Sequence, residues 1–188
     1  MTHDPGGKVR LKLLPGVKGN AVFSPCGRFR HWLSREWGTD GREPYALWIG
    51  MNPSTAEANI DDPTIRKEMH FTKKMGLDCY IKCNIMDYRA TNPSVLLSLI
   101  GEPNRHPIEA VPSSSKNLGC IASFAQRASV VVVAWGALPR PLRQYADDVL
   151  AILGPFRLMC VGVTKDGSPR HPLYLRNDAQ PIVWRDAL

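Results

Sequence analysis

Four short apolar runs, separated by segments with helical signals, constrain the fold of this chain more than any other feature of its sequence. They are residues 45–49, 79–84, 129–135 and 156–161. Buried parallel strands are apolar along their length and are joined through helices, so this alternation predicts a mainly parallel sheet covered on both faces. We therefore expect an α/β fold, a three-layer α/β/α sandwich with a central, mainly parallel four-stranded sheet.

The N-terminal segment is predicted to pack on this core as a basic extension with a β-hairpin. Residues 21–23 and 28–33 flank Ser24-Pro25-Cys26-Gly27, which is typical of a type I turn because proline is second and glycine fourth. We assign residues 1–44 to this segment and residues 45–188 to the α/β domain. A chain of 188 residues accommodates both in one globular domain.

The charge of the chain favours a nucleic-acid partner. The formal net charge is +7, and each cation placed at a phosphate displaces a counterion. No apolar run reaches membrane-spanning length and the N-terminus lacks a signal-peptide pattern, so we expect a cytoplasmic protein that does not contact membranes. The five cysteines contain no C-x-x-C pair, which favours free thiols over a metal site. We expect no cofactor, no metal, no obligate protein partner and a monomer.

Polar residues follow the apolar runs at the points where the strands are expected to end. Asn52 comes shortly after the first run, Asn84 ends the second, and His171 follows the fourth. Ligands of open parallel sheets bind beyond the carboxyl ends of the strands, so these side chains are candidates for function. Asp62 precedes Pro63 in a pattern typical of a helix start, and capping alone would also account for this aspartate.

The order of these motifs resembles that of the uracil-DNA glycosylase superfamily. Three stretches also resemble a bacterial and phage family known only as a domain of unknown function: Ile-Gly-Met-Asn-Pro-Ser-Thr-Ala (49–56), Asp-Asp-Pro-Thr-Ile-Arg (61–66) and Pro-Arg-His-Pro-Leu-Tyr-Leu (169–175). The resemblance spans residues 45–178. It implies a DNA glycosylase that flips a base, hydrolyses its N-glycosidic bond without metal and leaves an abasic site. We expect a monofunctional enzyme, because no lysine is clearly placed for Schiff-base chemistry.

The resemblance implies catalytic roles for three residues. Asn52 cannot take a proton at neutral pH, so it would position the water while a carboxylate assists, and Asp62 is favoured over Asp61 and Asp87. His171 would stabilise negative charge on the departing base. The alternative for this histidine is that it fixes a proline turn.

The resemblance also implies a base pocket and a DNA-binding loop. Asn84 would read the flipped base through its donor and acceptor, and Asp87 would accept from an exocyclic amine if the base is a cytosine. A buried Asn84 that satisfies loop backbone is the alternative. The other base-binding candidates are Met51, Pro53, Ser54 and Tyr88. Candidates for a wedge in the DNA stack are Leu173, Tyr174 and Leu175, and candidates for phosphate contacts are Lys165, Arg170 and Arg176.

One departure from the superfamily bears on the substrate. Uracil-specific members place a bulky tyrosine after the proline, whereas this chain has Ser54 and Thr55. A pocket without that wall would accept a modified pyrimidine, either thymine or a cytosine with a large 5-substituent, and phage defence would be the biological role. Three alternatives remain open: a recognition module for modified DNA or a nucleotide that lost the chemistry, a glycosidase of free nucleosides or nucleotides, and a basic structural partner of a larger complex.

Overall fold

The described part of the chain is a mixed α/β structure built on one large sheet. The computed structural model describes residues 9–38, 44–101 and 111–188. Residues 1–8 and 39–43, which fall in the predicted N-terminal segment, lie outside the described residues. The predicted α/β class is confirmed.

The described residues contain nine strands. In chain order they are β1 (Leu11–Lys12), β2 (Lys18–Phe23), β3 (Arg30–Glu36), β4 (Ala46–Gly50), β5 (Ile60–Asp61), β6 (Cys79–Asn84), β7 (Val130–Val133), β8 (Leu158–Cys160) and β9 (Ile182–Arg185). Seven of these form one sheet in the order β2-β3-β6-β4-β7-β8-β9, while β1 pairs with β5. The neighbours β6, β4, β7 and β8 pair in parallel, and the outer pairs are antiparallel. The sheet is therefore mixed, with parallel pairing at its centre.

Four α-helices in the described residues connect these strands. They are α1 (Pro63–Lys74), α2 (Pro93–Gly101), α3 (Asn117–Ala125) and α4 (Arg143–Leu153), with short 3-10 turns at Arg140–Leu142 and Pro172–Tyr174. The Asp62-Pro63 start signal is confirmed, because the Asp62 side chain accepts a hydrogen bond from the backbone N–H of Ile65. Such a cap satisfies one of the amide groups that a helix start leaves unpaired.

The sheet is covered by helices on both faces, and the alternation of side chains along β4 shows how. Leu47 and Ile49 pack with core residues of α2, α3 and α4. Ala46 and Trp48 pack with core residues of α1 on the opposite face. Successive side chains of a strand point to opposite faces, so a strand buried on both faces must be apolar throughout.

The predicted number of four strands is too small, for two reasons. The predicted hairpin forms, with Gly27 in the left-handed region at φ 70°, but its strand β3 also pairs with β6 and so extends the sheet. Strand β9 pairs antiparallel with β8 and was not predicted. It is an edge strand whose residues are mostly exposed, and its apolar run of Ile182, Val183 and Trp184 is shorter than those of the buried strands.

Candidate functional site

A cavity of about 470 Å³ opens at the carboxyl ends of the central strands. Its lining comes from the loops that follow β4, β6, β7 and β8, from the end of β6, and from the starts of β3, α1 and α2. Of the predicted site residues, eight line it: Met51, Asn52, Ser54, Asp62, Asn84, Arg170, His171 and Tyr174. These residues lie far apart in the sequence, and the parallel sheet brings them together because it aligns the ends of its strands.

Asn52 has its amide orientation fixed by the backbone. Its Nδ2 donates to the carbonyl oxygen of Ala90 at 2.7 Å and to that of Pro53 at 3.0 Å. Since both N–H groups are used by carbonyls, Oδ1 is the group left to accept a hydrogen bond. A carboxylate at this position would face two carbonyl oxygens without a proton to share. The surrounding backbone therefore favours asparagine over aspartate.

Asn84 lies at the end of β6 and is only 1% exposed. Neither Nδ2 nor Oδ1 of its side chain has a hydrogen-bond partner among the described residues. The strand end itself is held from α3, since Asn117 Nδ2 donates to the carbonyl oxygens of Asn84 and Ile85. Buried polar groups are nearly always paired, so an open amide in a cavity wall is suited to a ligand. The alternative that Asn84 satisfies loop backbone is wrong for its side chain.

The two adjacent aspartates have different surroundings. Asp61 is fully buried and accepts from Arg35 Nε at 2.7 Å and from Arg66 Nε at 2.5 Å. Asp62 is 6% exposed, caps α1 and lines the cavity. Of these two carboxylates, Asp62 is the one that faces the cavity. It combines both interpretations of the sequence, since it is a helix cap and a cavity residue.

His171 is held beside Gly136 and caps the 3-10 turn at Pro172–Tyr174. Gly136 has φ 76°, a conformation that favours glycine, and a Cβ there would lie 3.5 Å from the Cβ of His171. The Nδ1 atom of His171 accepts from the backbone N–H of Leu173 at 3.4 Å. A neutral imidazole that accepts at Nδ1 carries its proton on Nε2, so Nε2 is the donor. The histidine thus fixes the proline turn and also faces the cavity.

The loop after His171 separates the wedge candidates. Tyr174 is 58% exposed and lines the cavity, whereas Leu175 is 8% exposed and belongs to the core cluster below α1. The prediction that Leu175 acts as a wedge is therefore wrong, because a wedge side chain must be exposed to enter DNA. Leu173 is half-buried and does not line the cavity.

The cationic candidates are exposed, but only one lies at the cavity. Arg170 and Lys165 are exposed, and of the two Arg170 lines the cavity. Arg176 pairs with Asp178 through Nη2 at 3.0 Å. Of the three predicted phosphate contacts, Arg170 is therefore the one that lies at the cavity.

Asp87 and Tyr88 do not line the cavity. Asp87 is fully buried and accepts from His31 Nδ1 at 2.8 Å, from the backbone N–H of Ser114 at 2.7 Å and from Ser114 Oγ at 2.5 Å. Tyr88 packs edge-on against Phe29 at 5.5 Å between ring centroids. The prediction that Asp87 contacts the base is wrong, because its carboxylate oxygens already accept hydrogen bonds from His31 and Ser114.

Pro53 is buried and also lies outside the cavity lining, and its carbonyl accepts from Asn52. Ser54 lies at the cavity with its hydroxyl oxygen buried and without a partner among the described residues. No bulky side chain follows Pro53 in the sequence. The wall predicted to be open from the sequence is therefore formed here by a small hydroxyl residue.

Sequence reasoning missed two buried cations in the cavity wall. Arg30 is 2% exposed and its Nη1 donates to the carbonyl oxygen of Ala56 at 2.9 Å. Lys82 is 4% exposed and pairs with Glu68, which is fully buried. Burial lowers the pKa of Arg30 and Asp62 opposes that shift, whereas burial raises the pKa of Glu68 and the Lys82 ammonium opposes that rise. The signal for Lys82 was its place two residues before Asn84, within an otherwise apolar strand.

Neither a metal-ligating cluster nor a membrane-spanning helix is found in the described part of the chain. Within those residues, no group of three His, Cys, Asp or Glu side chains is placed to hold a metal ion. None of the helices in residues 9–38, 44–101 and 111–188 is long and apolar enough to cross a membrane. The five cysteines are unbridged, and burial raises the pKa of Cys79 to about 11.

The fold and the cavity define an α/β protein with a polar site at the carboxyl edge of its sheet. The chain belongs to the DUF1643 family, described as a protein of unknown function, whose family model matches residues 30–173. The match runs from β3 to the turn that follows His171 and so contains most of the cavity lining. No curated protein and no solved structure matches the chain.

Proposed function

We propose that this protein is a DNA glycosylase that flips a modified pyrimidine into the cavity and hydrolyses its N-glycosidic bond. The observation that carries the proposal is the convergence of Asn52, Asn84 and His171 on one cavity, with the Asn84 amide buried and open. Enzymes that act on a base inside a duplex must extrude it into a pocket that reads its edge. Both amide atoms of Asn84 are available for such reading.

Asn52 and Asp62 would activate the water. Asn52 Oδ1 accepts a hydrogen bond from the water, and the Asp62 carboxylate takes its proton as the oxygen bonds to C1′ of the sugar. The bond from C1′ to the base nitrogen breaks in the same step, and the pair of electrons stays on the base. The two carbonyls that hold the Asn52 amide support this division of roles.

His171 would stabilise the departing base. Its Nδ1 accepts from backbone, so Nε2 has the proton to donate to an oxygen of the base as negative charge develops there. A single such donor in a preorganised site contributes about 10² to 10³ in rate. The base then leaves as the neutral molecule after it takes up a proton, and an abasic site remains in the DNA.

The cavity and its rim fit a modified base in DNA. Its volume of about 470 Å³ lies within the range of roughly 300–1,000 Å³ that is typical of sites for drug-sized ligands. Such ligands are larger than an unmodified pyrimidine, so the cavity has room for a substituent on the base. Exposed Tyr174 at the rim would fill the space that the flipped base leaves, and Arg170 would contact a flanking phosphate. Removal of modified bases would act against phages that carry them, and we include phage defence in the proposal.

The test incubates the purified protein with DNA that carries uracil, mismatched thymine, hydroxymethylcytosine or glucosylated hydroxymethylcytosine. Released bases and abasic sites are measured by mass spectrometry. Asn52→Ala is the inactive variant, and Asn20→Ala is the matched control, because Asn20 lies exposed on β2. We expect one base to be released by the wild type and by the Asn20 control but not by Asn52→Ala.

Two other outcomes would redirect the proposal. Specific DNA binding without release of any base would support a recognition module instead. Release from free nucleosides but not from DNA would support a nucleoside glycosidase, and then Arg170→Ala would leave the rate unchanged.

A further inference from the structure

Lys82 projects into the cavity from the same strand face as Asn84. The two residues are two positions apart on β6, and side chains at that spacing share a face of the sheet. Both line the cavity, and both are at least nine-tenths buried. The wall below the base position thus presents an ammonium group next to an open amide.

Gly50 makes the room that both side chains use. It pairs with Asn84 across the parallel ladder. A Cβ on Gly50 would lie 2.5 Å from Lys82 Nζ and 3.0 Å from Asn84 Oδ1. Two polar atoms that approach one point so closely converge on the same part of the cavity. Any larger residue at position 50 would push one of them away.

Glu68 holds Lys82 in this place from behind. It is on α1, is fully buried, and its Oε1 receives a hydrogen bond from Lys82 Nζ. An ammonium group has three N–H donors, and in the described residues Lys82 bonds to no other side chain or carbonyl. Donors left open in a buried site are costly unless a ligand or water accepts from them.

The buried charges around this wall balance, which bears on the kind of ligand that fits. Arg30 and Lys82 bring two positive charges, and Asp62 and Glu68 bring two negative ones, whereas Arg170, which also lines the cavity, is exposed. An anionic ligand would add an unbalanced charge to a buried site, at a large desolvation cost. A neutral ligand with an oxygen acceptor satisfies the open donors without that cost.

We propose that Lys82 determines the specificity of this site, and that with Asn84 it selects a base that presents a neutral oxygen acceptor beside the edge that Asn84 reads. The inference rests on the proposed function for its biological substrate. The C2 carbonyl is common to all pyrimidines and cannot distinguish one from another. Two other oxygen acceptors can: the carbonyl at C4 of uracil or thymine, and the hydroxyl of a substituent at C5. Cytosine and 5-methylcytosine supply neither, since they present an amine at C4 and a proton or methyl group at C5.

The test compares cytosine, 5-methylcytosine, 5-hydroxymethylcytosine and uracil in two measurements. The first is base release from single-stranded DNA of one sequence, which removes differences in base pairing. The second is equilibrium binding of the four free deoxynucleosides to the whole protein, which needs no catalysis. In each measurement, the comparison of 5-hydroxymethylcytosine with 5-methylcytosine tests the oxygen on the C5 substituent. The comparison of uracil with cytosine tests the oxygen at C4.

The decisive variant is Lys82→Met/Glu68→Gln, which removes the buried pair together and leaves the net charge unchanged. Lys116→Met is the control at an exposed lysine outside the cavity lining. Gly50→Ala is a second probe that keeps both charges and displaces the Lys82 ammonium by contact. Thermal unfolding of each variant confirms that it is folded before the comparison is made.

We expect the wild type and Lys116→Met to prefer one base with the extra oxygen over the matched base without it, by about tenfold or more. In the double variant and in Gly50→Ala, this preference should fall below about threefold. An equal preference in wild type and double variant would overturn the role of Lys82. A wild type that prefers cytosine or 5-methylcytosine would overturn the ligand class. Absence of base release from all four DNAs would count against the glycosylase alone, and nucleoside binding would then decide the specificity of the site.

Discussion

Asn84 ends β6 and Asp87 follows three residues later, and both are buried, yet only Asp87 has its side-chain atoms hydrogen-bonded within the described chain. Asn84 is 1% exposed and neither of its amide atoms has a partner in the described chain. Asp87 is fully buried and accepts three hydrogen bonds, one from His31 and two from Ser114. Burial and polarity alone therefore do not mark a binding residue. The difference is whether the protein itself already satisfies the polar atoms.

The largest effect is expected for Asp87→Ala, on stability. The substitution leaves buried His31 and half-buried Ser114 without their acceptor, so the free energy of unfolding should fall by about 3 kcal/mol or more. Urea unfolding followed by circular dichroism measures this loss. A variant that keeps wild-type stability and loses ligand binding would place Asp87 with Asn84 and break the comparison.

Asn84→Ala should show the reverse pattern. No protein hydrogen bond is lost, so stability should stay within about 1 kcal/mol of the wild type. Binding or release of the base should fall about 100-fold, since two hydrogen bonds to the ligand disappear. Nucleoside titration and urea unfolding of the same preparation separate the two effects. A large loss of stability would show that Asn84 has a structural role like that of Asp87.

The next pair extends the comparison to the loop after His171. Leu175→Ala should lower the free energy of unfolding by about 2 kcal/mol, because Leu175 packs in the core. Tyr174→Ala should leave stability unchanged and reduce base release from duplex DNA by about tenfold, because the exposed ring no longer stacks in the vacated space. Release from single-stranded DNA is the control, and it should change little. An equal drop on both DNAs would contradict a wedge role for Tyr174.

A smaller effect on stability is expected for Asp62→Asn than for Asp87→Ala. Asparagine caps helices as well as aspartate does, but it removes the negative charge near buried Arg30, so the free energy of unfolding should fall by about 1 kcal/mol. Base release should nevertheless fall by about 10²-fold if the carboxylate takes the proton of the water. Rates at fixed pH and thermal unfolding give both values. Unchanged release would show that Asp62 is a helix cap and nothing more.

Local signals in the sequence predicted several elements well. The strands β4, β6, β7 and β8 could be predicted from their apolar runs, because strands buried on both faces have no polar side. The Asp62-Pro63 helix start and the Ser24–Gly27 turn follow from the conformational preferences of single residues. The placement of Asn52, Asn84 and His171 at one edge follows from the rule that parallel strands end together.

Partnerships between distant residues could not be predicted in the same way. His31 and Asp87 are 56 positions apart, and no local pattern in the sequence shows that His31 hydrogen-bonds to the Asp87 carboxylate. The burial of Leu175 beside the exposure of Tyr174 depends on the packing of that loop against α1. The strands β3 and β9 extend the sheet by pairing with β6 and β8, and their own sequences do not show which strand they pair with.

The sequence by itself determined the class of fold, the positions of its buried strands and the strand ends at which polar residues meet, because these depend on periodicity and on the preferences of neighbouring residues. Only the tertiary structure decided which polar residues remain available. Lys82 became a cavity residue because Gly50 leaves it room and Glu68 holds it, whereas Asp87 became a structural residue because His31 and Ser114 reach it. Hydrogen bonding in a folded core is settled by contacts across the chain, so availability is a property of the packed structure.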